Sequence, residues 1–181
     1  MNIFLIFAIL LKCFYGYEAI NILFRIAPSK FIISILRYYG AKIGKNVRIQ
    51  APFLIHNADI GKPIYKNLVI GDNCYVGRDA IFDLADKIKL KNRVTLSHRI
   101  LINTHTNDGS RISKTNILNN SFGPVKICSD TYVGSNVTIL ESVVIGHSTI
   151  IGANSLVNKS LPENSKAYGI PAKLIKSQDA L

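Results

Sequence analysis

Between Ile127 and Pro162 the hydrophobic positions recur every six residues: Ile127, Val133, Ile139, Ile145, Ile151 and Val157 each open a hexad. The fifth position is small or aliphatic (Thr131, Val137, Val143, Thr149, Ser155, Leu161), and Gly stands second at Gly134, Gly146 and Gly152. A period of six matches neither a helix nor an alternating strand, so each hexad is predicted to be a short strand plus a corner. Such units in unbroken succession predict an all-β solenoid, a parallel β-helix whose first positions stack inward from coil to coil.

Upstream the same phase is legible but interrupted. Ile43-Gly-Lys-Asn-Val47 and Ile49 open the first hexads. Pro52 to Asn67 breaks the phase around a turn at Gly61-Lys-Pro63, and it returns at Ile70, Val76 and Phe82. Leu90, Leu96 and Ile102 then run two residues out of frame, which predicts that Asp83 to Lys87 bulges from a coil. Thr106 to Pro124 is polar and rich in Asn, Ser and Gly. A long loop leaving a rigid solenoid is usually functional.

Ahead of Gly40 the pattern changes to apolar runs parted at Pro28-Ser29, predicting short helices over about residues 2–16, 18–27 and 29–39. The chain thus divides into a helical segment 1–40, a solenoid 41–165 with a loop at 106–124, and a tail 166–181. The run Asn2–Leu11 falls far short of the ~20 residues that span a bilayer, and it lacks the basic start and cleavage site of a signal peptide. A solenoid also needs its open end covered, and these helices suit that task.

Charge adds a second reading of the same segment. The 181-residue chain carries a net +11, and residues 1–50 hold Lys12, Arg25, Lys30, Arg37, Lys42, Lys45 and Arg48 against Glu18 alone. A basic, apolar amino terminus points to peripheral contact with an anionic membrane or to an acidic substrate. No nucleic-acid recognition motif or aromatic stacking platform accompanies the charge, so nucleic acid is not expected as a partner. Cys13, Cys74 and Cys128 are odd in number and widely spaced, which suits a reducing cytoplasm rather than a disulfide framework.

The hexads, followed by Tyr168-Gly-Ile-Pro-Ala-Lys-Leu-Ile175, resemble the hexapeptide-repeat acyltransferases, in particular the sugar and polysaccharide O-acetyltransferases, over about residues 42 to 176. The resemblance implies a left-handed parallel β-helix with three hexads per coil, a homotrimer with sites between adjacent solenoids, and acetyl-CoA as co-substrate. Handedness rests on the resemblance alone, because parallel crossovers otherwise favour the right hand.

Acetyl transfer from a thioester to an alcohol needs a base, an oxyanion donor and a groove for the coenzyme. Of four histidines, His105 stands at the mouth of the polar loop, where the resemblance implies the general base. Many relatives carry theirs two residues later, where this chain has Asn107 followed by Asp108, so His98 is the alternative base. His56 is too far along the chain to place, and His147 reads as a surface residue. A metal is not expected, since no pair of histidines has the spacing of the related metal-dependent solenoids.

The resemblance further implies acceptor contacts from Asp83, Asn107 and Asp108, and coenzyme contacts from Gly134, Ser135, Gly152, Ala153, Asn158, Lys159, Lys173 and Lys176. Ser135 and Ala153 lie three hexads apart, hence one above the other, and the three lysines would meet phosphates. The expected function is acetyl-CoA-dependent O-acetylation of a sugar hydroxyl on a bacterial surface polysaccharide or its precursor. The alternatives are N-acetylation of an amino sugar or a solenoid scaffold without chemistry.

Overall fold

The computed structural model describes residues 3–58, 63–106 and 121–175. In it each hexad becomes two to four extended residues and a corner. The first coil comprises β1 (Lys42–Ile43), β2 (Arg48–Ile49) and β3 (Phe53–His56), and the second β4 (Leu68–Ile70), β5 (Tyr75–Val76) and β6 (Ala80–Asp83). The third comprises β7 (Ile88–Leu90), β8 (Thr95–Leu96) and β9 (Leu101–Ile102), and ends in a two-stranded antiparallel ribbon of β10 (His105–Thr106) and β11 (Ser121–Phe122). The fourth holds β12 (Val125–Ile127), β13 (Tyr132–Val133) and β14 (Thr138–Ile139), and the fifth β15 (Val144–Ile145), β16 (Ile150–Ile151) and β17 (Leu156–Val157). The tail adds β18 (Lys166–Tyr168) and β19 (Lys173–Leu174).

Stacking the coils makes a three-sided, left-handed parallel β-helix. The first face is β1-β4-β7-β12-β15, the second β2-β5-β8-β13-β16-β18-β19, and the third β3-β6-β9-β14-β17. Edge one joins the first face to the second, edge two the second to the third, and edge three the third back to the first. The first positions Ile127, Val133, Ile139, Ile145, Ile151 and Val157 are all buried, as their period demands. The corners turn through left-handed residues, among them Asn46, Asn73, Asn136, Asn154 and Asn164, with φ between 53° and 59°. Asn tolerates that conformation better than most side chains, which explains why it crowds the corners.

Coil length departs from three hexads where the phase breaks. Lys42 lies opposite Val69, Val69 opposite Lys89, Lys89 opposite Lys126 and Lys126 opposite Val144, so successive coils take 27, 20, 37 and 18 residues. The first interruption is shorter than the sequence reading placed it. Phe53–His56 stays in the coil as β3 with Phe53 and Ile55 buried, and the excursion begins at Asn57. The two residues gained after β6 do not bulge outward. Leu84 and Ala85 are apolar and tuck inside, and the Leu84 N–H is held by the His56 carbonyl.

The helices are α1 (Ile3–Tyr15), a 3₁₀ turn Tyr17–Ala19 running into α2 (Ile20–Phe24), and α3 (Ser29–Tyr38). Gly40, at φ 103°, ends α3 in a conformation closed to most side chains. Ile20, Leu23, Phe24, Ile32, Ile35 and Leu36 are buried over the first coil. Polar side chains finish the exposed strand edges there. The Asn21 amide donates to the Ile55 carbonyl (2.8 Å) and accepts from its N–H (3.0 Å), replacing the next strand, and the Ser29 hydroxyl accepts from Ile49 N–H. Arg37 donates to the carbonyls of Ile43 and Gly44. The helices therefore cap the solenoid.

The outward ladders of the faces differ. On the third face Leu54, Ile81, Leu101, Thr138 and Leu156 follow one another in register, an apolar strip along the prism. On the first face Lys89 stands opposite Lys126.

Candidate active site

Edge three, at the end of the third coil, gathers the titratable groups. His105 opens β10, and Asp83 closes β6 one coil earlier. Their separation of 22 residues is the 20-residue coil plus two, so the apolar tuck at Leu84 and Ala85 sets which acid meets the ring. His105 Nδ1 lies 2.6 Å from Asp83 Oδ2. The histidine side chain is 25% exposed and the aspartate 7%, so the pair is shielded on one side and open on the other.

Asp83 is firmly held. Its Oδ1 accepts from the Asn57 amide (2.7 Å) and from Ala85 N–H, and its Oδ2 from Thr104 N–H (2.9 Å). The Thr104 hydroxyl donates to the Asp83 carbonyl (2.8 Å) and accepts from Asp86 N–H. Burial pushes this carboxyl up, but the bonds from Asn57, His105 and Thr104 outweigh it, leaving the group below its usual range. It is an anion at neutral pH and can only accept, so Nδ1 of a neutral His105 carries the proton and Nε2 the lone pair.

The ring is also clamped from the side by Phe122 of β11, stacked at 5.7 Å and 23°. Glu141, on the corner one coil further, accepts from the hydroxyls of Thr106 (3.0 Å) and Ser121 (2.9 Å), tying both strands of the ribbon to the solenoid. Burial raises the Glu141 carboxyl, yet bonds from its own amide, Ser121 and Thr106 and the charge of His105 bring it below its usual range.

The sequence-derived residues separate into two groups. Asn158 and Lys159 follow β17 at edge three, exposed, two coils beyond His105 and hence ~10 Å along the prism. Ser135 and Ala153 stack at edge two, where Asn154 N–H donates to the Ser135 carbonyl. His98 belongs to that same column, because Asn136 N–H donates to its carbonyl, and its ring accepts from Arg78 N–H. The two candidate bases thus occupy opposite edges of the third face, and His105 is the one with a carboxylate.

Gly134 and Gly152 owe their place to packing. Their N–H groups donate to Ile151 and Ala167 carbonyls, and a Cβ on Gly134 would sit 2.6 Å from Ala153 N. Lys173 lies exposed in β19 beside a shallow hollow lined by Tyr168 to Ile175. His147 pairs with Glu163 on the surface, and His56 lies opposite Asp83 in register. Asn107, Asp108 and Lys176 lie outside the described residues. Asp83, expected against acceptor hydroxyls, has its carboxylate occupied by His105, Asn57, Thr104 and Ala85. Asn57, Thr104, Phe122 and Glu141 were not singled out by sequence, since nothing in the hexad pattern marks them.

Residues 124–159 match the bacterial transferase hexapeptide family (six repeats). The chain is 31% identical over 140 residues to the "putative acetyltransferase SAR2635" of Staphylococcus aureus (strain MRSA252), covering 74% of this chain and 63% of that protein. It is 31% identical over 144 residues to the "putative colanic acid biosynthesis acetyltransferase WcaF" of Escherichia coli (strain K12), covering 80% of this chain and 73% of that one. Among solved structures, a maltose O-acetyltransferase from Clostridium difficile 630 superposes with a TM-score of 0.71 at 27% identity, covering 86% and 81% of the two chains. The Vibrio cholerae acetyltransferase VCA0836 complexed with acetyl coenzyme A shares the fold, with a TM-score of 0.74 at 19% identity over 93% and 92%. With its hexad solenoid, its C-terminal tail and relatives matched across most of its length, the chain belongs to the hexapeptide-repeat acyltransferase family.

Proposed function

We propose that the protein is an acetyl-CoA-dependent O-acetyltransferase acting on a sugar hydroxyl of a surface polysaccharide or its precursor. The observation that carries this reading is the 2.6 Å contact between His105 Nδ1 and Asp83, which leaves Nε2 as a base on the open side of the ring. The names of WcaF and of the maltose O-acetyltransferase support a sugar acceptor. Acetyl-CoA-bound VCA0836 supports the coenzyme only as far as a common fold allows.

In this reading Nε2 takes the proton of the acceptor hydroxyl as its oxygen attacks the thioester carbonyl. The C–S bond breaks, and the coenzyme thiolate recovers the proton from the imidazolium. Asp83 keeps the ring in the productive tautomer and stabilises its transient charge, as the acid does in other histidine-based acyl transfers. Transfer is direct. The Cys74 thiol is pushed up by burial and donates to the Lys91 carbonyl, so it serves packing rather than an acyl-enzyme.

The coenzyme residues fall on two edges of one prism, which argues for a homotrimer. If three chains turn the apolar strip of Leu54, Ile81, Leu101 and Leu156 toward a common axis, edge three of each meets edge two of its neighbour. His105, Asn158 and Lys159 of one copy would then face Ser135 and Ala153 of the next, with the lysines toward the coenzyme phosphates. Mixing subunits tests this. His105→Ala and Ala153→Arg should each be inactive alone, while co-refolded in equal amounts they should regain roughly a quarter of wild-type activity, because one interface in four pairs two intact halves. A mixture as inactive as its parents would place both groups in one chain's site.

A further inference from the structure

A solenoid cap normally presents a polar outer face, because it is the surface that ends the stack in water. This cap does the reverse. Helix α1 rests chiefly on α2 and α3 rather than on the strands, and its inner side packs through Phe4, Ala8 and Leu11, with Phe4 stacked on Phe31 at 4.5 Å. On its outer side Ile3, Ile6, Phe7, Leu10 and Phe14 form a helical stripe, exposed by 62, 41, 50, 46 and 74%. Ile22 and Ile26 of the α2 region extend the patch, exposed by 57 and 73%. A wholly apolar hollow of about 340 Å³ opens between Ile3, Phe4, Phe7, Leu23 and Ile26. So large a contiguous apolar surface on a soluble fold marks an interaction site.

The charges of the same helices choose the occupant. Lys12, Arg25 and Lys30 are exposed on the same three helices, and Glu18 is their one acid among the described residues. A second copy of this face would bring like charges together. An anionic lipid surface would meet the cations with its headgroups and the stripe with its acyl chains, which is the pattern of an in-plane amphipathic helix. No helix of the described residues is long and apolar enough to cross a membrane.

We infer that the outer face of the helical cap docks on an anionic phospholipid bilayer, with α1 lying in the interface plane. This rests on the exposed face and its charges and not on the transferase reading. If the trimer also holds, three parallel prisms present three such faces on one side, and their binding multiplies. Edge three of the third coil would then stand roughly 20 Å above the lipid, two coils and one helical layer away. That places His105 within reach of a glycan carried on a lipid.

The test uses the full chain and vesicles of phosphatidylcholine with or without phosphatidylglycerol. The protein contains no tryptophan, so Phe14→Trp supplies a single reporter at the end of the apolar stripe. Its emission should shift to shorter wavelength with anionic vesicles and far less with neutral ones. Flotation of Phe7→Glu/Phe14→Glu/Ile26→Glu should fall by at least about tenfold, with circular dichroism unchanged because all three residues are exposed. Lys12→Gln/Arg25→Gln/Lys30→Gln should lose about fivefold per charge in the preference for anionic lipid. Failure to float with anionic vesicles overturns the inference, as does unaltered flotation of the triple-Glu variant. A smaller oligomer in that variant would overturn it too, because the face would then cover a second copy.

Discussion

His105→Ala is expected to lower turnover by about 10²–10⁴-fold while leaving acetyl-CoA affinity within a small factor of wild type. The size follows from what is removed. A general base acts only as the hydroxyl proton departs, so its loss appears in kcat rather than in ground-state binding. The partition between the two constants is informative, because within one chain the coenzyme candidates Ser135 and Ala153 lie on the opposite edge of the third face, and Asn158 and Lys159 two coils beyond the ring, so all four should be undisturbed. Folding should survive. Asp83 retains Asn57, Ala85 and Thr104 as donors, so its buried charge is not left bare. Stopped assays of turnover beside calorimetric titration of acetyl-CoA check both halves of the expectation. Turnover unchanged in this variant, and lost in His98→Ala, would transfer the base to the opposite edge.

Asp83→Asn should cost up to about 10⁴-fold in turnover through the ring alone, as happens when the orienting acid of a catalytic histidine is made neutral. An amide can present its NH₂ to Nδ1, which reverses the tautomer and places the proton on Nε2, where the lone pair is needed. The same NH₂ would confront the N–H of Thr104, which shares that oxygen's position, leaving a buried donor without an acceptor at about 1–3 kcal/mol. Stability therefore falls as well, and pH separates the two effects. The Asp83 carboxyl lies below its unfolded value of 3.8, so the wild-type pair contributes its stability above pH 3.8 and loses it as the pH falls through the lower folded value. The stability gap between wild type and Asp83→Asn should accordingly be full near neutrality and narrow below pH 3.8, as read by denaturant unfolding at several pH values. The kinetic loss should persist at neutral pH, where both proteins are folded. A variant as unstable as expected but fully active would make Asp83 a structural residue only.

The stacked core was legible because its cause is local. Ile127 to Val157 repeat at a fixed interval, and each is buried for the reason its interval implies. The His105–Asp83 pair was not legible as a pair. Which residue lies beneath His105 depends on a coil of 20 residues instead of 18, and that length depends on Leu84 and Ala85 turning in rather than out. Both residues were singled out, yet Asp83 was expected at the acceptor because the resemblance places an acid there against sugar hydroxyls. Asn57 and Thr104 were invisible for a related reason. They reach Asp83 across 26 and 21 residues of coil, separations that become adjacency only once register is known. Gly134 and Gly152 stood out as part of a coenzyme wall, and the structure adds a second reason for glycine at both positions, the close approach of the next coil. At the amino terminus the sequence showed that the helices are apolar, but only their packing shows that one apolar face of α1 is turned outward.

The measurement that bears most directly on the central claim is coenzyme release, followed with a thiol reagent, as acetyl-CoA meets sugars, nucleotide sugars and surface-polysaccharide oligosaccharides. The account predicts release that requires one class of hydroxyl-bearing sugar, a product that returns acetate in mild alkali as an ester does, and near-complete loss of both in His105→Ala. An alkali-stable product would make the acceptor an amine. Release that continues unabated without His105, or a chain that binds no acetyl-CoA at all, would contradict the account.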